Sequence, residues 1–316
     1  MRRVPLWLTV APLVLGGVVY WYFWSGWRDT LRADIVVEQP GATVAIGGFP
    51  YRLEADIAGP RFVLPGPVRM TVTADRARAN RNPWARDLTV VRTERPTVEA
   101  AVGPLAAARL HAVAATSVSS VHLGARGIAR LSTVFTQLHA TTGLFAAPVA
   151  ADTFEVHVRE TRARSNEEWS ATPPQQAQIV LSGTGVRFGG SAPLTLAVDS
   201  GITATAALHD FSGWAAGGTV EVRSATLGDA TGEIARLTAS AVPAAGALRL
   251  AGTITTVCPA SVAAAVAGGP APSELRRRNP VRLAFAGSPG AFTIGPVPAD
   301  APAAVRAQLP PCPRLR

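Results

Sequence analysis

The chain has 316 residues, a formal net charge of +9 and 48% hydrophobic residues. All 30 basic residues are arginine, because the sequence contains no lysine. P-loop nucleotide hydrolases, Schiff-base enzymes, Ser-Lys dyads and protein kinases all depend on a lysine, so these classes are excluded. The abundance of Ala, Gly and Pro points to a codon bias as the source of the arginines, and we expect no nucleic-acid partner.

The chain begins with a short basic stub and a long apolar run. Arg2 and Arg3 precede an uncharged span over residues 4–24, and roughly 20 helical residues suffice to cross a bilayer core. Aromatic residues fill the end of the span, where a signal peptidase requires small side chains, and they resemble the aromatic belt of a membrane interface. We therefore interpret residues 1–27 as a cytoplasmic stub and transmembrane signal-anchor, with a cleaved signal peptide as the alternative.

The charges around this span predict its orientation. Positive flanking charge stays on the cytoplasmic side of a membrane, and Arg2 and Arg3 lie before the span. We expect a single-pass protein of the bacterial inner membrane, with a cytoplasmic N-terminus and the bulk of the chain in the periplasm.

Alternating apolar and polar residues dominate the remainder of the chain, which is typical of half-buried strands. Residues 51–57 and 68–74 alternate in this way around Pro65-Gly66-Pro67, and we predict that they form a hairpin. Residues 217–257 carry three further strands separated by turn signals. A short Ala-rich helix is predicted near residues 259–267, because proline suits a first helical turn and glycine follows the run.

These patterns predict a mainly β fold with one N-terminal transmembrane helix, extended antiparallel meander sheets and few short helices. A polar loop at 166–174 separates an N-terminal β-rich half, 28–165, from a C-terminal β-rich half, 175–300. A Pro/Ala-rich tail follows at 301–316. The sequence leaves open whether the two halves form one sheet or two.

Arginine is concentrated in the first β-rich half. Eight arginines and three acidic residues lie between residues 61 and 95. A solvated strand face is one interpretation, and contact with anionic lipid headgroups is the other, since each basic residue near such a surface contributes about 1 kcal/mol. The candidate lipid contacts are Arg61, Arg69, Arg76, Arg78, Arg81 and Arg86. A second cluster, Arg276-Arg277-Arg278, suits the last turn of a helix.

Few residues suggest chemistry. Cys258 and Cys312 are a candidate disulfide in a non-cytosolic compartment, and two separate thiols are the alternative. The five histidines have no metal-ligand spacing, and the chain has no nucleophile elbow and no dinucleotide fingerprint. We therefore predict no catalytic, cofactor-binding or metal-binding residue and no enzymatic activity. Four tryptophans, Trp27, Trp84, Trp169 and Trp214, either line a ligand cleft or close the end of a β core.

One segment carries a family resemblance. Gly47-Gly48-Phe49-Pro50-Tyr51-Arg52-Leu53 resembles the opening segment of the bacterial proteins grouped as DUF2125, a domain of unknown function. Residues 246–252 and 292–298 are similar to later segments of that family. The resemblance implies an N-terminal anchor and no established activity, and we expect a structural role for Gly48, Phe49, Pro50, Tyr51 and Arg52. The hairpins have a looser likeness to AsmA-like envelope proteins, which implies a long sheet that holds lipid chains.

Three functions remain open on this basis. The leading hypothesis is a membrane-anchored periplasmic β protein that binds or passes a lipid or other apolar envelope molecule, with the inner membrane as its partner. The alternative is a scaffold or interaction module for envelope complexes, with protein partners that the sequence does not name. The remote alternative is an envelope hydrolase built from dispersed carboxylates, which would need a pocket with paired acids.

Overall fold

The computed structural model describes residues 6–39, 41–64, 68–84, 87–102, 105–124, 127–143, 147–160, 175–203, 218–244, 247–267, 269–270, 272–288, 291–298 and 309–315. Within these ranges the chain forms helix α1 (Leu6–Glu38), helix α2 (Pro259–Ala267) and one antiparallel sheet of 18 strands. The predicted mainly β meander fold is confirmed. The strands of both predicted halves belong to this one sheet, and the predicted loop at 166–174 lies outside the described residues.

The strands in chain order are β1 (Thr43–Gly47), β2 (Leu53–Ala58), β3 (Arg61–Leu64), β4 (Val68–Thr73), β5 (Arg76–Arg81), β6 (Leu88–Glu94), β7 (Thr97–Val102), β8 (Leu105–Val113), β9 (Thr116–Gly124), β10 (Gly127–Thr142), β11 (Val149–Glu160), β12 (Gln175–Phe188), β13 (Leu194–Thr203), β14 (Thr219–Asp229), β15 (Gly232–Ala244), β16 (Ala247–Thr256), β17 (Val281–Ser288) and β18 (Ala291–Ile294).

Helix α1 continues well beyond the apolar run. It has 33 residues and ends at Glu38, so its second half carries charged residues such as Arg28, Arg32 and Asp34. Among the residues that the structure describes, no helix is long and apolar enough to cross a membrane. The span predicted over residues 4–24 begins outside the described residues, and it stays a prediction.

The first strands of the sheet are bent in the middle. β2 and β3 are the two halves of one long strand, and the same holds for β4 and β5, β6 and β7, and β8 and β9, with two residues at each bend. The bends are Gly59-Pro60, Ala74-Asp75, Arg95-Pro96 and Ala114-Ala115. β10 is bent at Gln137, which has a φ of 53°.

Backbone hydrogen bonds run from bend to bend without interruption. The amide of Gly59 donates to the carbonyl of Asp75 at 2.9 Å, and that of Asp75 donates to Glu94 at 3.0 Å. Arg95 donates to Ala115 at 2.9 Å, and Ala115 donates to Thr136 at 3.0 Å. Because the bends are aligned and bonded, they form a crease across the sheet, which satisfies the backbone groups there.

The strand pairing continues in one register through the crease. β2 pairs with β5, as in Leu53↔Arg81, whereas β4 pairs with β3 and β7. The predicted hairpin of residues 51–57 and 68–74 is therefore present, with β2 and β3 as one arm and β4 and β5 as the other. Alternation continues on both sides of each bend, so the pattern does not reveal where a strand changes direction. The turn at 65–67 lies outside the described residues.

The strands from β10 to β18 pair in chain order, and their sheet curls. β11 pairs with β12, as in Phe154↔Gly183, and this pairing joins the two predicted halves. One apolar cluster surrounds Leu138 and Val186, and a second surrounds Ile234 and lies against α2. Phe188 packs against both clusters, and β16 reaches β8 across the curl. The core is therefore continuous along the molecule.

A disulfide and two hydrogen bonds hold helix α2 and the C-terminal segment of the chain in place. Cys258 and Cys312 are joined by a disulfide, so the candidate pairing is present. The Glu274 carboxylate accepts hydrogen bonds from the amides of Ala260 at 3.0 Å and Ser261 at 2.8 Å. These amides belong to the first turn of α2 and have no partner within the helix. Glu274 thus caps α2 from outside.

The neighbouring arginine cluster does not lie in a helix. Residues 272–280 have no helical structure, and Leu275 forms an isolated bridge with Pro311. The Arg276 side chain is buried and its Nη2 lies 2.5 Å from Oδ2 of Asp229. The predicted helix C-terminal turn at Arg276-Arg277-Arg278 is therefore wrong, because a buried ion pair places the chain there.

Candidate functional site

The segment with the family resemblance is the turn between β1 and β2. Gly48 has a φ of 95°, and a Cβ at this position would lie 2.6 Å from the carbonyl oxygen of Arg52. Only glycine fits such a left-handed and crowded position. The Phe49–Pro50 peptide bond is cis, and the Arg52 amide donates to the carbonyl of Gly48 at 3.0 Å. The turn is thus closed on itself, and it presents the carbonyls of Pro50 and Arg52 outward.

Helix α1 is bound by these two carbonyls. The Tyr20 hydroxyl donates to the carbonyl of Pro50, and the Trp24 indole Nε1 donates to that of Arg52 at 3.3 Å. The Trp24 ring meets Phe49 edge-on at 5.2 Å between centroids and is 5% exposed. The segment predicted to be structural therefore holds the N-terminal helix against the sheet.

Six rings gather at this contact, which we term the aromatic junction: Tyr20, Phe23, Trp24, Trp27, Phe49 and Trp84. Trp84 comes from the connection between β5 and β6, where its amide donates to the Asn82 side chain at 3.2 Å. Its ring centroid lies 6.2 Å from Tyr20 and 6.4 Å from Trp27. Such spacings are typical of stabilising aromatic pairs. Trp169 and Trp214 lie outside the described residues.

The aromatic junction is only half closed to solvent. Phe49 is 48% exposed, Trp84 62% and Tyr51 81%. On α1 the apolar residues before the junction are exposed as well, with Leu13 at 77% and Leu15 at 65%. The exposed rings of the sheet and the exposed side of the helix therefore meet in one apolar surface.

The candidate lipid-contact arginines divide into two groups along the bent strands. Arg76 and Arg78 pair with carboxylates of β2: Arg76 with Asp56 at 3.1 Å, and Arg78 with Glu54 at 3.1 Å. Burial acts to raise the pKa of Asp56, but the hydrogen bond from Arg78 and the charge of Arg76 lower that pKa further, so the net shift is downward. These two arginines face carboxylates within the sheet.

The other four candidates have different surroundings. Arg81 donates to the Thr89 hydroxyl at 3.2 Å on the junction side of the crease. Arg61 and Arg69 are exposed on the far side of the crease. Arg86 lies outside the described residues. The structure therefore does not bring the five described candidates together in one cluster.

Arg69 does lie in a second feature, an open depression of about 670 Å³ at the far end of the bent strands. Strands β4, β7, β8 and β10 line it together with residues 147–148. Its polar residues are Arg69, Thr71, Glu99, Arg109, His111, Thr141 and Thr142, and Glu99 is its one carboxylate. Sequence reasoning missed Arg109 and His111, because only strand pairing brings them beside Arg69.

The described residues offer little for metal or acid–base chemistry. Among them, no group of three or more His, Cys, Asp or Glu side chains is placed to hold a metal ion. His122 contacts Asp87 at 2.8 Å, His157 contacts Glu155 at 3.2 Å, and both pairs lie on partly exposed strand faces.

Comparison with protein families gives a clear result. The model of DUF2125, described as "Uncharacterized protein conserved in bacteria", matches residues 38–302. The chain belongs to the DUF2125 family. No curated protein and no solved structure matches it.

The extent of the match bears on the aromatic junction. The DUF2125 region begins at residue 38, which is the last residue of α1, and it contains the turn at Gly48, the Phe49 ring and Trp84. The surface that receives the helix is therefore part of the DUF2125 domain, whereas the helix precedes the matched region. The sequence pattern assigns Tyr20 and Trp24 to an aromatic belt. Their contacts with the turn were missed, because the two partners of each contact are about 30 residues apart in the sequence.

Proposed function

We propose that this DUF2125 protein is a non-enzymatic, membrane-associated β protein of the bacterial envelope that binds or passes a lipid or another apolar envelope molecule. The observation that carries the proposal is the aromatic junction, where helix α1 and the sheet share one exposed apolar surface. Trp84 and Phe49 remain 62% and 48% exposed although other rings pack against them. Soluble proteins rarely leave such contiguous surfaces open unless the surface binds a partner.

The chemistry of the surface suits a bilayer interface. Trp and Tyr are enriched at headgroup depth, because their rings are apolar at one end and polar at the other. The junction also has cationic neighbours: the Arg28 guanidinium lies 5.9 Å from the centroid of the Trp24 ring. A bilayer would cover the exposed rings and the apolar residues that precede them on α1, while Arg28 would remain among the headgroups.

The C-terminal disulfide supports a location outside the cytoplasm. Bridges such as Cys258–Cys312 persist in oxidising compartments and are rare in the bacterial cytosol. With the basic stub on the cytoplasmic side, the sheet would lie in the periplasm, next to the inner membrane. This is the localisation that we propose.

Two measurements on the full-length protein test the proposal. In nanodiscs with brominated lipids, we expect strong quenching of the Trp84 emission, obtained as the difference between the wild type and Trp84→Phe. Nanodiscs with unbrominated lipids are the control. Solvent extraction and mass spectrometry of the purified protein should also find bound lipid. Unquenched Trp84 together with the absence of bound lipid and of uptake of fluorescent acyl chains would overturn the proposal.

A scaffold for envelope complexes is the second candidate, and the open sheet edges favour it. Among the described strands, β3 pairs with β4 alone and β18 with β17 alone. An open edge can accept a strand from a partner. These two strands have only four residues each, and β1, which among the described residues pairs with β2 alone, has five; such short edge strands disfavour the addition of a partner strand. Crosslinking in cells distinguishes the candidates, because a scaffold would give protein adducts at β3 or β18.

A further inference from the structure

The depression at the far end of the bent strands contains an ordered array of polar side chains. Strand register places Arg69, Ala101 and Arg109 in one row across β4, β7 and β8. The next row contains Thr71, Glu99, His111 and Thr141 across the same strands and β10. Because residues paired across strands share a face of the sheet, all of these side chains point to one side.

That side is opposite to the apolar core. Val98, Ala112 and Ala140 form the row next to Glu99, His111 and Thr141, so they point to the other face, and they belong to the apolar cluster around Leu138. The polar array therefore faces away from the core and into the depression. Arg69 and Arg109 lie on β4 and β8, which are separated by β7, so their backbones are about 10 Å apart. At this separation two guanidinium groups can converge on a single ligand.

Arg69 and Arg109 differ from most arginines near the crease, because they have no ion-pair partner among the described residues. Arg76, Arg78 and Arg95 each contact a carboxylate on a neighbouring strand. Among the described residues, neither Arg69 nor Arg109 has an ion pair or a side-chain hydrogen bond. Glu99 is the one carboxylate of the depression, and its Oε1 lies 3.7 Å from Nδ1 of His111. The depression therefore keeps an excess of unpaired positive charge.

The volume and the walls define the ligand further. A depression of about 670 Å³ lies within the usual size of small-molecule sites. Threonine hydroxyls at Thr71 and Thr141 can donate to an anion beside the guanidinium groups, whose planar donors fit phosphate oxygens in pairs. Ala101, which shares the face of the two arginines, adds apolar surface to the same depression.

We propose that Arg69 and Arg109 bind the phosphate group of an amphipathic ligand in this depression. That the ligand is a lipid rests on the proposed function. Arg81 pairs with Leu53 near the aromatic junction, and Arg69 precedes Arg81 by twelve residues on the same bent strand. At about 3.3 Å per residue the site lies up to roughly 40 Å from the junction. A lipid phosphate bound there has left the bilayer surface, which fits a protein that passes lipids.

Titration calorimetry of the full-length protein in dodecyl maltoside tests the site. The probes are inorganic phosphate, dihexanoyl phosphatidic acid and dihexanoylglycerol, which lacks the phosphate. We expect the phosphatidic acid to bind at least tenfold more tightly than phosphate, and dihexanoylglycerol to bind weakly. Arg69→Gln and Arg109→Gln should each weaken binding of the phosphatidic acid about tenfold or more.

Arg92→Gln is the matched control. Arg92 is exposed on β6, has no carboxylate partner among the described residues and does not line the depression. An equal loss in Arg92→Gln would assign the binding to overall charge and overturn the site, as would a lack of binding of both phosphate probes. Equal affinities for phosphate and the phosphatidic acid would assign the site to free anions and overturn the lipid ligand.

The same variants separate this site from the proposed function. Quenching of Trp84 by brominated lipids should be unchanged in Arg69→Gln and Arg109→Gln, because the junction lies at the other end of the bent strands. Intact quenching with no phosphate binding would overturn the site alone. Phosphate binding without quenching would overturn the membrane association and leave the anion site.

Discussion

Asp229 and Arg276 form an ion pair whose side chains are 18% and 8% exposed. Burial acts to raise the pKa of Asp229, but hydrogen bonds from the hydroxyl and amide of Thr231 and from Arg276 lower that pKa further. The net pKa is below its ordinary value. A carboxyl group with a depressed pKa stabilises the fold above its unfolded-state pKa, and this stabilisation is lost as the pH falls through the folded-state pKa.

Asp229→Asn therefore has two expected effects. At pH 7 the free energy of unfolding should fall by about 2–4 kcal/mol, because Arg276 is left buried without its counter-ion. The loss of stability between about pH 5 and pH 3 should also be smaller in the variant than in the wild type. Urea unfolding in detergent at pH 7, 4 and 3 measures both.

Asp199→Asn is the control for this pair. Asp199 and Arg223 are 41% and 37% exposed, so their pair should contribute no more than about 1 kcal/mol. A cost for Asp229→Asn at pH 7 no larger than that of Asp199→Asn would contradict the prediction.

Gln137 illustrates strain in the crease. Its φ of 53° is left-handed, a conformation that costs residues with a Cβ about 1–2 kcal/mol. We expect Gln137→Gly to stabilise the protein by about 0.5–1 kcal/mol, since the exposed side chain has no partner among the described residues. Thr136→Gly, one residue away in extended backbone, should instead destabilise it. Thermal unfolding of the two variants measures the difference in sign, and two losses would show that the φ of Gln137 carries no cost.

Helix α1 and the turn that receives it form the main contact between elements near the N-terminus. The helix is held by the ring contact between Trp24 and Phe49 and by hydrogen bonds to the carbonyls of Pro50 and Arg52. We therefore expect the helix to separate from the turn when the buried Trp24 ring is removed. Trp24→Ala removes a ring that is 5% exposed together with its hydrogen bond to Arg52. Truncation of a buried tryptophan typically costs about 3–5 kcal/mol.

Limited trypsin digestion measures this separation. In Trp24→Ala, cleavage after Arg28 and Arg32 should be at least tenfold faster than in the wild type, because these residues lie on the freed part of α1. Trp21→Ala is the matched control, since Trp21 is 54% exposed on the same helix and has no ring contact among the described residues. Equal rates in both variants would mean that the junction does not hold the helix.

The sequence was sufficient for the type of the elements and insufficient for their arrangement. Alternation predicts β2 and β4 because side chains of a strand alternate between a buried and an exposed face. The bends at Gly59-Pro60 and Ala74-Asp75 preserve this alternation, so the sequence predicts the hairpin but not the bends in its arms. Arg69 and Arg109 come together only through β7, which no local pattern encodes.

The candidate site was predictable only in part. Gly48 and the residues that follow it were recognisable as a motif, but the partner of the motif was not, because Tyr20 and Trp24 had a sufficient explanation as an aromatic belt. Trp84 carried a weak signal, since Asn82-Pro83 marks a turn that exposes the next ring. The disulfide was predictable as one of two alternatives, because two cysteines allow a single intrachain pairing.

At the scale of the whole molecule, the disulfide fixes the end of the chain to the last large cluster. Cys258 and Cys312 are separated by 54 residues, and closing a loop of this size stabilises a fold by about 4 kcal/mol in the chain-entropy model. The double substitution Cys258→Ser and Cys312→Ser should lower the free energy of unfolding by about 3–4 kcal/mol. Urea unfolding of both proteins measures it.

A reducing agent provides the control for this prediction. The unfolding midpoint of the wild type should move toward that of the double variant when reductant is present during unfolding, whereas the variant itself should not respond. A difference below about 1 kcal/mol between the oxidised proteins would show that capping by Glu274 and the apolar contacts hold α2 without the bridge.

The pairing of β10 to β18 in chain order has an evolutionary consequence. Among the described residues, each strand from β11 to β18 bonds only to its neighbours along the chain. Duplication of one hairpin in a gene would therefore widen the sheet by about 10 Å while every existing hydrogen-bonded pair but one kept its partner. The helix contact at one end and the disulfide at the other would be inherited unchanged. A change in the number of hairpins would therefore change the width of the sheet between the helix contact and the disulfide, while both ends stayed the same.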